Sequence, residues 1–139
     1  MILLDTSGLL AAIDASQRHH RAAADALRAA PPPWVLSPFV LAELDYLLAT
    51  RVGQDAERAL LAEVGRGVYR LESADADAVA TAEQVIARHS DLKIGLTDAS
   101  IVVLAERYST GELLTLDERH FRALPGPAGR PFRLLPADA

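Results

Sequence analysis

Short apolar runs alternate with longer segments of helical character along the chain. Five runs of three or four residues have the length and composition of buried strands. These predicted strands are Ile2-Leu3-Leu4, Trp34-Val35-Leu36, Val68-Tyr69-Arg70-Leu71, Leu113-Leu114-Thr115-Leu116 and Phe132-Arg133-Leu134-Leu135. Strands of this kind, alternating with helices, predict a three-layer α/β/α domain with a mainly parallel sheet of about five strands.

Two helix starts can be placed from their capping residues. Ser37 and Pro38 have the residue types of an N-cap and a first helical position, which predicts a helix from there to about Arg51. Thr97 is predicted to cap a second helix, which would place Asp98 in its first turn.

Length and composition favour one compact unit. The chain has 139 residues, half of them hydrophobic, so we expect a single domain over residues 1–139. It contains no Cys, which excludes disulfides, a thiolate nucleophile and Cys-ligated zinc. No apolar run approaches the roughly 18 residues of a membrane span. We therefore expect a cytoplasmic protein.

The charge balance argues against one class of function. Nineteen acidic residues against fourteen basic ones give a net charge of −5. A protein that coats nucleic acid by charge alone is usually basic, so this class is disfavoured. An enzyme whose acids gather in one metal site remains compatible, because bound cations reverse the local sign.

Four acidic residues fall where such a fold would bring them to one edge of the sheet. Asp5 and Asp117 follow the first and fourth predicted strands, and Asp98 begins a helix at the same edge. Glu43 lies about 7.5 Å along its helix from Pro38, and helical side chains lean toward the helix N-terminus. We therefore expect these four carboxylates to converge.

Each of these acids also has a purely structural interpretation. Asp5 and Asp117 could cap the turns that follow them, and Asp98 could interact with its helix dipole. Glu43 shares its helix with Asp45, and that helix is apolar nearly all round. Periodicity alone therefore leaves open which of these two acids faces the edge.

Carboxylates that converge without cationic partners need a counter-charge. Close carboxylates repel one another, and the only Lys, Lys93, is near none of the four in sequence. A hard divalent ion such as Mg²⁺ or Mn²⁺ fits an all-oxygen set of this kind. Ser7 and Thr115, each two residues from an acid, could hydrogen-bond the carboxylates or a water beside the ion.

Four segments around these acids carry a likeness to known proteins. They are Asp5-Thr6-Ser7-Gly8-Leu9-Leu10, Ser37-Pro38 through Ala42-Glu43-Leu44, Leu96-Thr97-Asp98-Ala99, and Leu114-Thr115-Leu116-Asp117 with Phe121. In order and spacing they resemble the successive motifs of PIN-domain ribonucleases, above all the VapC toxins of bacterial toxin–antitoxin pairs. The resemblance covers nearly the whole chain.

This resemblance implies a function. It implies a Mg²⁺-dependent endoribonuclease, with Mn²⁺ as the alternative ion, that cleaves tRNA or ribosomal RNA. It selects Glu43 over Asp45, and it implies that Glu43, Asp5, Asp98 and Asp117 are the catalytic and metal-binding residues. It also implies a homodimer and a cognate VapB antitoxin whose C-terminal segment blocks the site.

Arg119 and His120 directly follow the last of the four acids. At the expected edge of the sheet they could contact an RNA phosphate. A solvated helix start is the alternative interpretation of the same two residues.

Two other functions compete with RNA hydrolysis. One is another type of metal-dependent phosphoryl-transfer protein, but Ser7 stands where an aspartyl-phosphate phosphatase would have a second Asp. A receiver domain would need a Lys after a late strand, and this chain has none there. The other is a catalytically silent PIN-like fold that binds a partner, although such a protein has no need of four converging acids.

Overall fold

A computed structural model of residues 1–139 has one five-stranded sheet covered by helices. The strands are β1 (Ile2–Leu4), β2 (Trp34–Leu36), β3 (Arg70–Leu71), β4 (Glu112–Leu114) and β5 (Arg133–Leu135). The helices are α1 (Thr6–Ile13), α2 (His20–Ala29), α3 (Pro38–Leu47), α4 (Gln54–Gly65), α5 (Ala76–Arg88), α6 (Leu96–Tyr108) and α7 (Glu118–Phe121). A π-helical turn, Leu48–Val52, extends α3.

All strand pairs are parallel, in the order β3-β2-β1-β4-β5. In the central strand, Leu3 pairs with Val35 on one side and with Leu113 on the other. Every residue of β1 is buried, which requires cover on both faces of the sheet. The predicted three-layer α/β/α architecture is therefore confirmed.

The helices bury mostly small and branched apolar side chains against this sheet. Helix α6 contributes several residues to the core, with Ile101, Leu104 and Ala105 among its buried residues. No helix in the structure combines the length and the apolar character that crossing a membrane requires.

Strand β4 ends two residues earlier than the sequence predicts. The predicted strand reaches Leu116, whereas the observed strand stops at Leu114. The Leu116 N–H donates to the Ser7 hydroxyl at 3.0 Å, and the Asp117 N–H donates to the Thr115 hydroxyl at 2.9 Å. Because side chains take these two amides, the chain turns away from the sheet at this point.

Helix α6 begins one residue before the predicted N-cap. Gly95 occupies the N-cap position, and Thr97 lies inside the first turn. The Thr97 hydroxyl donates to a Glu43 carboxylate oxygen at 3.2 Å instead of capping the helix. The prediction of Thr97 as a cap is wrong, although Asp98 still lies in the first turn.

Candidate active site

A cavity of about 640 Å³ opens at the carboxyl edge of the sheet. The four predicted acids, Asp5, Glu43, Asp98 and Asp117, all line it. They come from four elements: the end of β1, helix α3, the first turn of α6 and the start of α7. The parallel sheet explains this convergence, because strand ends and the N-termini of crossover helices share one edge.

Asp5 is held by two hydroxyl groups at the floor of the cavity. Its carboxylate accepts hydrogen bonds from Ser7 Oγ at 2.9 Å and from Thr115 Oγ1 at 2.7 Å. It occupies the N-cap position of α1 but makes no side-chain capping bond. Burial raises the pKa of Asp5, while the bonds from Thr115 and Ser7 act in the opposite direction. The hydroxyls thus orient a carboxylate that is 5% exposed.

Asp98, Asp117 and His120 form a tight cluster above Asp5. One ligand atom from each of the three lies within 4.8 Å of the other two. The His120 Nδ1 atom is 2.8 Å from Asp117 Oδ2 and 3.8 Å from Asp98 Oδ2. The sequence predicts that His120 lies near the edge of the sheet, but it does not predict its contacts with Asp98 and Asp117.

The pKa of Asp98 is raised to about 6. Partial burial is the main cause, and the neighbouring charges of Asp5 and Asp117 add to it. His120 partly offsets these effects. The shift therefore reflects burial of the Asp98 carboxylate first, and repulsion from the neighbouring carboxylates second.

Packing and an ion pair fix the short helix α7. Phe121 is buried and packs edge-on against Phe132, with ring centroids 5.7 Å apart. The Arg122 guanidinium donates to both carboxylate oxygens of Asp138, at 2.9 and 2.7 Å. Asp117 itself caps α7, accepting from the His120 N–H at 3.0 Å. Its structural role as a cap thus coexists with its position in the cavity.

Glu43 and Asp45, two acids of the same helix, lie in different surroundings. Glu43 lines the cavity and accepts a hydrogen bond from Thr97 of α6. Asp45 lies away from the cavity and contacts Glu57 of α4, where their hydrogen bond, together with partial burial, raises the pKa of Glu57. A buried pair of serines, Ser37 and Ser100, joins the starts of α3 and α6 at 2.8 Å and keeps Glu43 near Asp98.

The π-helical turn brings a cation to the cavity. Arg51 lies two turns beyond Glu43 on the same face, lines the cavity and makes no salt bridge. The Thr50 hydroxyl donates to the Tyr46 carbonyl at 2.7 Å, and the Gly53 N–H bonds the Leu48 carbonyl five residues earlier. This side-chain bond competes with the regular helical ladder, which is consistent with the local change to a π turn.

Arg119 lies on a different surface from the cluster. Its side chain is exposed on α7 and does not line the cavity, whereas its neighbour His120 does. Arg119 and His120, which the sequence suggests together as possible RNA contacts, therefore face different surroundings.

The residues of the cavity fit a divalent cation. Asp98 and Asp117 offer carboxylate oxygens and His120 offers a ring nitrogen, and these atoms lie within 4.8 Å of one another, near the distance across one coordination sphere. A cation there would relieve the repulsion that raises the pKa of Asp98. The cluster is thus a candidate metal centre.

Comparisons with known proteins agree with this geometry. The PIN domain family model matches residues 2–127. The chain is 44% identical over 135 residues to ribonuclease VapC26 of Mycobacterium tuberculosis, covering 97% of this chain and all of the relative.

Solved structures have the same fold. The crystal structure of Mycobacterium tuberculosis VapC20, a sarcin-ricin loop cleaving toxin, superposes with a TM-score of 0.84 at 27% identity, covering 94% of this chain and all of the other. A toxin–antitoxin complex from Klebsiella pneumoniae matches with a TM-score of 0.68 at 23% identity, covering 92% and 96% of the two chains. The chain therefore belongs to the PIN-domain family, and within that family to the VapC proteins.

Proposed function

We propose that this protein is a divalent-metal-dependent endoribonuclease toxin that inhibits translation in the cytoplasm by hydrolysing phosphodiester bonds in tRNA or ribosomal RNA. The observation that carries the proposal is the convergence of Asp5, Glu43, Asp98 and Asp117 on one open cavity. The 44% identity to a ribonuclease over nearly the whole chain supports RNA as the substrate.

Asp98 and Asp117 would hold the metal ion, with Asp5 behind them. We propose Mg²⁺ as the cofactor, with Mn²⁺ as the alternative. A bound divalent ion supplies a water of lowered pKa and stabilises negative charge on the phosphoryl group. Ser7 and Thr115 keep the Asp5 carboxylate pointed toward the cavity through their hydrogen bonds.

Glu43 faces the same cavity from the opposite wall and is exposed. Its carboxylate can bind the metal or a water, or accept a proton from the attacking water. The hydrogen bond from Thr97 holds one of its oxygens, which leaves the other free for this role.

RNA contacts are proposed for one arginine that lines the cavity and for one on the short helix α7. Arg51 lies on its wall with a free guanidinium, and Arg119 is exposed on the adjoining surface of α7. The net charge of −5 means that the protein as a whole does not attract RNA. Local arginines are therefore expected to supply the phosphate contacts.

Substituting Arg51 by alanine is expected to weaken RNA binding about tenfold, because one charge-assisted phosphate contact is lost. The affinity of a labelled RNA fragment is measured at several salt concentrations, in an Asp98→Asn background that prevents cleavage. The salt dependence should fall by about 0.7 in log–log slope for a single-stranded contact. Arg88→Ala, at the exposed end of α5 and outside the cavity, is the matched control. Equal affinities for all proteins would remove Arg51 from the RNA site.

A VapB-type antitoxin and a second copy of this chain are the proposed protein partners. A solved relative of the same fold, from Klebsiella pneumoniae, is a toxin–antitoxin complex. The open cavity offers an inhibitor access to the four acids. Membership of the VapC group supports the proposal of a homodimer.

Cleavage of total bacterial RNA by purified protein, free of antitoxin, tests the proposal. The reaction is run with Mg²⁺, with Mn²⁺ and with a chelator, beside an Asp98→Asn preparation purified in the same way. We expect discrete fragments that need metal and are absent with the variant. Mapping their ends would then identify the RNA.

Two results would contradict the proposal. Fragments that persist in the Asp98→Asn preparation would assign the activity to a contaminant. The absence of cleavage under every metal condition would favour a fold that binds a partner without hydrolysing RNA.

A further inference from the structure

His120 lies in the first turn of α7, and its side chain faces the cavity. Its side chain is 23% exposed and lines the cavity together with the four acids. The Nδ1 atom is hydrogen-bonded to Asp117 Oδ2 at 2.8 Å and lies 3.8 Å from Asp98 Oδ2, so an ion bound at Nδ1 would replace this hydrogen bond. An RNA contact through this nitrogen would require the phosphate to approach two carboxylates, which is electrostatically unfavourable.

The spacing of these atoms suits a single small ion. Ligands at about 2.1 Å from an octahedral ion are separated by about 3.0 Å when adjacent and about 4.2 Å when opposite. The observed separation of 2.8 Å is close to the adjacent value, that of 3.8 Å lies between the two values, and all three ligand atoms lie within 4.8 Å of one another. Only small side-chain adjustments would be needed to bring the three atoms onto one ion.

The backbone already holds His120 in this position. Its N–H donates to Asp117 Oδ1, so the residue that it would join at the ion also caps the helix that carries it. Phe121 and Arg122, the next two residues, anchor α7 to the body of the protein. The imidazole is therefore placed by contacts that do not depend on the ion.

We propose that His120 is a direct metal ligand, which joins Asp98 and Asp117 and raises the affinity of the site for Mn²⁺ and other first-row transition-metal ions more than its affinity for Mg²⁺. Mg²⁺ binds mainly oxygen ligands, whereas an imidazole nitrogen strengthens binding of transition metals. This inference rests on the metal site of the proposed function and deepens it. It concerns which ion the site selects, and it does not depend on which RNA is cleaved.

Pulsed electron paramagnetic resonance of Mn²⁺ bound to the full chain tests the ligand directly. We expect coupling to a ¹⁴N nucleus in the wild-type protein and its loss in His120→Phe, which keeps a planar ring without a ligand atom. His89→Phe, at the end of α5 and outside the cavity, should keep the coupling. Bound Mn²⁺ without nitrogen coupling in the wild-type protein would overturn the proposal.

Titration calorimetry with Mn²⁺ and with Mg²⁺ shows whether His120 binds the ion directly or only packs beside the metal site. A ligand role predicts that His120→Phe weakens Mn²⁺ binding about 10- to 100-fold and Mg²⁺ binding less than about threefold. Equal weakening of both ions would mean that His120 only supports the site, and would overturn the proposal. If the Phe variant does not fold, His120→Gln is used, with the same expected loss of coupling and of ion preference.

These measurements use no RNA. A protein that cleaves RNA but shows no nitrogen coupling would contradict the role of His120 alone. A protein that shows the coupling but cleaves nothing would contradict the proposed function alone.

Discussion

Substituting Asp98 by asparagine is expected to lower metal-dependent RNA cleavage at least about 100-fold. Losing one carboxylate from the metal centre removes several kcal/mol of stabilisation of the transition state, and each 1.4 kcal/mol corresponds to about tenfold in rate. The rate is measured on the RNA fragment that the wild-type protein cleaves, at saturating Mn²⁺. Because Asp98 lies in the first turn of α6 and is only partly buried, we expect the variant to fold.

The same substitution is expected to stabilise the metal-free protein at neutral and alkaline pH. The pKa of Asp98 is about 6 in the folded protein and about 3.9 in an unfolded chain. The folded state therefore binds the proton more tightly, so the free energy of unfolding falls as pH rises from about 4 to about 6 and stays lower above that. Asparagine carries no charge and should remove this decline.

Thermal unfolding in the presence of a chelator at pH 4, 6 and 8 tests whether Asp98→Asn stabilises the metal-free protein as pH rises. The variant should unfold at a higher temperature than the wild-type protein at pH 8, with a smaller difference at pH 4. Added Mn²⁺ should reverse the order, because an ion stabilises the protein that binds it more tightly. A variant that is less stable than the wild-type protein at pH 8 without metal would mean that Asp98 does not lie among repelling charges.

The fold could be predicted from the sequence because its strands are apolar at nearly every position. A strand such as Ile2–Leu4, with no polar face, fits only a sheet covered on both sides, and this is what the structure contains. The strand order could not be predicted, since strands of two or three residues carry too little pattern to fix their neighbours. The π turn at Leu48–Val52 was also not predicted, because the sequence favours one continuous helix from Pro38 to about Arg51.

The positions of the site residues were predictable to the extent that they follow from strand ends. Asp5 follows directly from the end of β1, and Asp98 from the start of a crossover helix. Periodicity could not choose between Glu43 and Asp45, because an almost uniformly apolar helix does not reveal how α3 packs against α4, and the choice of Glu43 rested on the family resemblance. His120 lies in a helix of four residues that Asp117 caps, and so short a segment has no periodicity from which the direction of the side chain could be inferred.

Substituting Gly8 by alanine is expected to destabilise the protein by about 2 kcal/mol or more and to impair cleavage. A Cβ atom at Gly8 would lie 2.4 Å from the Leu114 carbonyl oxygen and 2.8 Å from the Thr115 nitrogen. Both contacts are with backbone, which cannot rotate away as a side chain can. Helix α1 and strand β4 would have to separate, and this cost exceeds the gain of roughly 1 kcal/mol that alanine offers in a helix.

The displacement would also reach the candidate active site. Ser7, next to Gly8, bonds both the Asp5 carboxylate and the Leu116 N–H, so moving α1 away from β4 stretches the contacts that orient Asp5. We expect a loss of roughly 8 °C in melting temperature and a fall in cleavage rate of about tenfold or more. Gly65→Ala is the matched control, because Gly65 ends α4 and a Cβ there would meet nothing within 4 Å. It should leave cleavage unchanged and stabilise slightly, whereas a Gly8→Ala protein as stable as this control would mean that α1 and β4 do not meet at Gly8.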